Sequence, residues 1–152
     1  MNKKKLQIEQ LEARIALFVA ALQVPMPATG WIKAIRMSLG MTQQQLANKL
    51  SITKQSVLEM EKREQEGAIT LKLLKETARV LDMDLVYGFV PKEGSLQKYI
   101  DKKARQLAEM IVLRTSNTMK LEDQEISGQR LEKAIEERTR IIRQELPKAL
   151  WD

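Results

Sequence analysis

The side chains with the clearest recognition chemistry lie in a short polar run that follows position 53. If this run is helical, Val57 and Met60 form its apolar side, for which Leu58 is a further candidate. A glutamine amide can bind adenine through two hydrogen bonds, a lysine can donate to guanine, and a glutamate can accept from the amino group of cytosine. The residues that we expect to face base edges in a major groove are Lys54, Gln55, Ser56 and Glu59.

Two short helices joined by a tight turn are predicted to position this polar run. Thr42 and Gln45 have the spacing of a capping box at the start of the first helix. Thr53 is placed to cap the second helix, and Ala47 lies where the two helices must nearly touch. Leu46 and Leu50 share the apolar stripe of Ala47. The segment 41–60 therefore resembles a helix-turn-helix of the kind that bacterial and phage repressors use to bind DNA.

Further residues are placed to hold the phosphate backbone. A helix N-terminus offers free N–H groups and a positive dipole end to a phosphate, and Gln43 would bind in this way. Lys62 and Arg63 are predicted to lie beyond the second helix and to contact phosphates as well. Each of these side chains could instead be an ordinary solvated one. The full predicted DNA-binding set is Gln43, Thr53, Lys54, Gln55, Ser56, Glu59, Lys62 and Arg63.

The composition agrees with a polyanionic partner and excludes several kinds of catalysis. The 152 residues include 26 basic and 20 acidic ones, a formal net charge of +6, although a basic surface without a ligand would look similar. The chain has no Cys and no His, which excludes thiol nucleophiles, thiolate or histidine metal sites and a Ser-His-Asp triad. No Gly-rich phosphate loop is present. We therefore expect no enzyme activity, no metal and no cofactor.

The rest of the chain predicts a mostly α protein. Apolar residues at helical spacing predict an N-terminal amphipathic helix from about Lys3 to Gln23, and charged residues within it exclude a secretory signal or membrane span. We therefore expect a cytoplasmic protein that does not bind membranes. The run 85–90 predicts one short strand, and the segments 95–114 and 118–146 predict long helices. The terminal Trp151 is expected to pack against something. The predicted domains are the N-terminal helix 1–23, a DNA-binding domain 30–92 and a C-terminal helical region 93–152 for dimerisation or partner binding.

Longer segments resemble the bacterial family called mobile mystery protein A. The resemblance covers roughly Gly30 to Asp152 and includes GWIKAIRMSLGMT, EQEGAITLKLLKETARVLDMDLVYGFVP, NTMKLEDQ and the terminal LWD. His is usual in that family where this chain has Asn117. The resemblance implies a five-helix core of the Xre/Cro type, and an antitoxin-like regulator encoded beside a Fic-domain protein. Such a protein would repress its own operon and restrain or pair with its Fic neighbour.

Three functional hypotheses follow. The first is a sequence-specific transcriptional regulator that binds an inverted-repeat operator in double-stranded DNA as a homodimer, because one reading helix covers only a few base pairs. The second is an inhibitor of a Fic nucleotidyltransferase, with DNA binding secondary. Thr118 and Glu122 approach the Ser/Thr-xxx-Glu-(Gly/Asn) pattern of such inhibitors, but Asp123 replaces the final Gly or Asn. The third, a small coiled-coil scaffold, leaves the polar face of residues 54–59 unexplained.

Overall fold

The computed structural model describes residues 2–121 and 128–152, and within them the chain forms seven α-helices and two 3₁₀ segments. It divides into two units, Ala20–Gly88 and a second unit made of Met1–Val19 with Phe89–Asp152. None of the helices in the described residues is both long and apolar enough to cross a membrane. The helices are α1 (Lys3–Ala16), α2 (Trp31–Ser38), α3 (Gln43–Leu50), α4 (Lys54–Glu66), α5 (Leu71–Val80), α6 (Leu96–Leu121) and α7 (Gly128–Glu145), and the 3₁₀ segments are Val19–Gln23 and Lys148–Trp151.

The unit Ala20–Gly88 contains four short helices, α2 to α5, around one small apolar core. Three of these helices begin at a threonine whose hydroxyl accepts a hydrogen bond from a backbone N–H of the first turn. Such caps satisfy N–H groups that have no partner within the helix. The buried centre of the core comprises Ile32, Leu46, Ala47, Val57 and Met60.

The second unit is built on the pair α6 and α7. Ala104 and Ala108 are fully buried in this pair, so two small side chains allow the helices to approach closely. The chain end packs back onto α6, because Leu150 is buried and the ring of Trp151 stacks on Tyr99 with centroids 5.7 Å apart. The expectation that the terminal tryptophan packs against the protein is therefore confirmed.

The predicted strand at 85–90 is wrong. No strand occurs in the part of the chain that the structure describes, and residues 83–91 have no regular secondary structure. A lone strand has no neighbour for its backbone hydrogen bonds, so a favourable composition is not sufficient to form one. The described residues Trp31–Val80 hold four α-helices, one fewer than the five expected for the core.

Helix boundaries also differ from those predicted, and residues 118–121, which were expected to begin the last long helix, belong to α6. Helix α1 ends at Ala16 rather than near Gln23, because the N–H groups of Leu17 and Phe18 bond three residues back and tighten the chain toward 3₁₀ geometry. Helix α6 continues past Arg114 to Leu121. The Thr115 hydroxyl donates to a carbonyl oxygen four residues earlier, which lets a residue of weak helix propensity remain within the helix.

Candidate nucleic-acid interface

The start of α3 has the capping box that its sequence predicted. The Thr42 hydroxyl accepts from the Gln45 backbone N–H at 3.1 Å, and the Gln45 side-chain oxygen accepts from the Thr42 N–H at 2.8 Å. This reciprocal pair defines where α3 begins, and Gln43 is its first residue. Gln43 therefore lies in the first turn, where free N–H groups and the positive end of the helix dipole face outward.

The turn between α3 and α4 is tight. Ser51 adopts the left-handed conformation with φ 55°, and the Ile52 N–H donates back to the Ala47 carbonyl at 3.0 Å. Thr53 then caps α4, since its hydroxyl accepts from the Ser56 N–H at 3.1 Å. Ala47 and Val57 are fully buried at the helix crossing, as the sequence predicted. Together these contacts define the angle at which α4 leaves α3.

A buried ion pair joins α4 to α2. The Arg36 guanidinium makes two hydrogen bonds to the Glu61 carboxylate, one of them at 3.3 Å, and donates a third to the Met41 carbonyl at 3.0 Å. Both side chains are almost fully buried. A guanidinium with all these partners has little rotational freedom, so the pair determines how α2 and α4 are oriented.

A second carboxylate of α4 caps α2. The two oxygens of Glu64 accept from the backbone N–H groups of Trp31 and Ile32 at 2.9 and 2.8 Å. Gly30, which precedes them, has φ 86°, and a Cβ there would lie 2.9 Å from the Glu64 side chain. Glycine is needed at this position both for the backbone conformation and for the close approach of the carboxylate.

A surface groove runs along the outer side of α4, with a volume of about 480 Å³. It contains four of the eight residues predicted to bind DNA: Gln43, Gln55, Glu59 and Lys62. These side chains come from the start of α3 and from successive turns of α4 on one face. The groove therefore brings together amide, carboxylate and ammonium groups that can bond base edges and phosphates.

The other four predicted residues do not line this groove. Thr53 and Ser56 face each other, with their hydroxyl oxygens 2.8 Å apart at the cap of α4. Lys54 is exposed at the first position of that helix. Lys62 and Arg63 do not lie beyond the second helix, as the sequence reading had them, because α4 continues to Glu66. Gly67 ends the helix in the left-handed conformation with φ 76°, so both basic residues lie within α4.

Four residues that line the groove were not among the predicted DNA-binding residues, and one of them is Glu61, whose carboxylate pairs with Arg36. Leu58 is 41 % exposed and lines the groove, so it does not belong to the inward side of α4. The helical spacing of Gln55, Leu58 and Lys62 places them on one face, and this signal was available in the sequence. Lys33 of α2 and Gln65 also line the groove. Their involvement depends on how α2 packs beside α4, which no local pattern reveals.

The residues proposed to bind a Fic partner are described only in part. Thr118 is exposed, and its hydroxyl donates to the Arg114 carbonyl at 3.1 Å within α6. Glu122 lies outside the described residues. Among residues 2–121 and 128–152, no group of three or more His, Cys, Asp or Glu side chains is arranged to hold a metal ion.

Comparison with known proteins identifies one domain. Residues 32–87 match a protein family described as helix-turn-helix. The chain thus carries a helix-turn-helix domain of the type found in DNA-binding regulators, and the match contains all of α3 and α4. No curated protein and no solved structure matches the chain.

Proposed function

We propose that this chain is a sequence-specific regulator that inserts α4 into the major groove of double-stranded DNA. The observation that carries the proposal is the groove along α4, where Gln55, Glu59 and Lys62 are exposed on successive turns beside Gln43. Amide and charged side chains on one helix face match the donors and acceptors that base edges present in the major groove. The helix-turn-helix match over residues 32–87 supports the same geometry.

In this proposal Gln55 and Lys54 read bases, while Gln43 and Lys62 position the helix. Gln55 would bind adenine through two hydrogen bonds, and Lys54, at the N-terminal end of α4, would donate to guanine. Gln43 would bring the first turn of α3 to a phosphate. Glu59 repels phosphates and so belongs over a cytosine amino group. The residues proposed to contact DNA remain Gln43, Thr53, Lys54, Gln55, Ser56, Glu59, Lys62 and Arg63.

The proposed active form is a homodimer that binds an inverted repeat. Two reading helices about 34 Å apart would contact successive turns of the major groove and double the number of base contacts. Exposed leucine and methionine side chains outside the helix-turn-helix unit support self-association, since such residues favour burial. They include Leu6 and Leu11 on α1, and Met110 and Leu113 on α6.

The regulatory setting that we propose is autorepression beside a Fic-domain partner. The support for this part is the family resemblance of residues 30–152. If Glu122 inhibits nucleotidyl transfer, Glu122→Gly should release the partner's activity, while Glu136→Gly on α7 should not. Measured AMP transfer that stays equally inhibited by both variants would remove the inhibitory role of Glu122 and leave the DNA-binding proposal intact.

The test of DNA binding is fluorescence anisotropy with the duplex directly upstream of the coding region. A shuffled duplex of the same composition serves as the control, and both are measured at two salt concentrations. We expect site-selective binding that weakens steeply as salt rises, because each phosphate contact releases counterions. Equal and weak binding to both duplexes would overturn the proposal.

The residue-level test uses Gln55→Ala. Loss of a bidentate contact should reduce discrimination between the two duplexes by roughly 1–3 kcal/mol. Gln106→Ala is the matched control, because Gln106 is an exposed helical glutamine on α6, outside the helix-turn-helix unit. If both variants discriminate as well as the parent, α4 is not the reading helix.

A further inference from the structure

We propose that Leu58 reads the 5-methyl group of a thymine, which makes it a specificity-determining residue of the reading helix. This inference rests on the proposed function, because it places the α4 groove against the floor of the major groove. It assigns a base-reading role to an apolar residue at a position where only polar residues were expected to act.

The exposure pattern of α4 singles out Leu58. Its neighbour Val57 is fully buried and Met60 is 2 % exposed, whereas Leu58 is 41 % exposed. The residue lines the same groove as Gln55 and Lys62, which lie one turn before it and one turn after it. Leu58 is thus the apolar member of a predominantly polar surface rather than an outlying part of the core.

The chemistry of the major groove narrows what such a residue can contact. Each base pair offers hydrogen-bond donors and acceptors there, and the apolar group on its floor is the thymine methyl. A leucine that packs on this methyl removes apolar surface from water on both sides. Leucine opposite a polar edge would instead leave a base donor or acceptor without a partner, which is unfavourable. The side chain therefore discriminates for thymine and against the other bases.

The neighbouring residues extend the prediction to the base sequence. Gln55 lies three positions before Leu58 on the same face, and its amide suits adenine N6 and N7. An adenine and a thymine on the floor of the groove would satisfy the two side chains together. We therefore expect the preferred site to hold A·T pairs where this part of α4 lies.

The test removes one methyl group at a time from the DNA. The preferred duplex is first selected from a random library with the full-length protein. Each thymine is then replaced by deoxyuridine, which lacks only the methyl, and affinities are measured by anisotropy. For the parent protein, we expect one position at which deoxyuridine weakens binding about three- to five-fold, the effect of one methyl-sized apolar group. For Leu58→Ala, the same replacement should have no further effect.

The control is Leu71→Ala, which truncates a similarly exposed leucine on α5 that does not line the groove, and this variant should keep the full deoxyuridine penalty. Leu58 does not read a methyl if no deoxyuridine replacement lowers the affinity of the parent protein. The same conclusion follows if one replacement lowers the affinity of Leu58→Ala as much as that of the parent. Selection of a preferred duplex would still uphold the proposed function in that case. Failure to select any duplex would overturn the proposed function, and the role of Leu58 with it.

Discussion

The two units of this chain differ in the contacts that accompany their apolar cores. In Ala20–Gly88, α4 is joined to α2 by charged groups that are almost fully buried, the Arg36–Glu61 pair and the Glu64 carboxylate. In the second unit, α6 and α7 meet over the buried alanines 104 and 108, and the ion pairs lie outside. Buried charged groups bond only in particular directions, whereas an apolar seam tolerates sliding. The unit proposed to read DNA thus has the more directional linkage.

The exposed ion pairs of the second unit show what the buried pair adds. Arg105 donates hydrogen bonds to Glu132 and Glu109, and the bond to Glu132 is the main reason that the pKa of Arg105 is raised. Water and salt screen such exposed pairs, so they contribute little to the orientation of helices. Arg36 and Glu61 are shielded from water, and two of the three hydrogen bonds of the guanidinium go to the Glu61 carboxylate.

The largest effect is expected for Glu61→Ala. This change leaves the Arg36 guanidinium buried without its carboxylate, which typically costs about 3–5 kcal/mol of unfolding free energy. The matched control is Glu66→Ala on the same helix, which removes an exposed carboxylate 4.0 Å from Lys62. Urea denaturation followed by tryptophan fluorescence would measure both, and the control should change by well under 1 kcal/mol.

The two tryptophans make this prediction specific to one unit. Trp31 lies in Ala20–Gly88 and Trp151 in the second unit, so Trp151→Phe and Trp31→Phe backgrounds report each unit separately. Glu61→Ala should lower the urea midpoint reported by Trp31 fluorescence more than the midpoint reported by Trp151. Equal shifts of both midpoints would mean that the two units unfold together. The different contacts within the units would then not give them separate stabilities.

The second prediction concerns the apolar seam. Ala108 is fully buried between α6 and α7, and Ala108→Leu adds volume that the close approach of the helices cannot accept. Overpacking of this kind costs about 1–3 kcal/mol. Ala134→Leu, on an exposed position of α7, is the control and should be nearly neutral. The urea midpoint reported by Trp151 should decrease. An unchanged midpoint would show that the contact between α6 and α7 is loose enough to accommodate a larger residue.

The contrast also explains which features could be predicted from the sequence. Caps and apolar stripes depend on residues three or four positions apart, so Thr42, Thr53 and the inward side of α3 could be predicted. The Arg36–Glu61 pair joins residues 25 positions apart, and no local pattern reveals it. The strand prediction failed because β-branched and aromatic composition does not supply a pairing partner. The outward position of Leu58 depends on which side of α4 packs against the core.

The third prediction compares the caps of the two units. The Thr53 hydroxyl caps α4, and the Ser95 hydroxyl caps α6 by accepting from the Lys98 N–H at 3.1 Å. Replacement of either by Ala should lower the unfolding free energy by about 1 kcal/mol. Only Thr53→Ala should also weaken DNA binding, because it loosens the first turn of α4, the proposed reading helix. Anisotropy with the preferred duplex would measure this, and equal affinities of the two variants would remove Thr53 from the interface.

The smallest effect, and the only gain, is expected for Ser51→Gly in the turn before α4. Ser51 has φ 55°, a conformation that is unfavourable for a residue with a Cβ and free for glycine. Part of the relief is lost because glycine also gains freedom in the unfolded chain, so we expect a net stabilisation of about 0.5 kcal/mol. Asp82 has the same φ of 55° but belongs to a residue type that tolerates it better, so Asp82→Gly should gain less. Urea midpoints at Trp31 would compare the two. A stabilised Ser51→Gly that binds DNA more weakly would show that the strained turn itself helps to aim α4, since the ion pair and the Glu64 cap are unchanged in this variant.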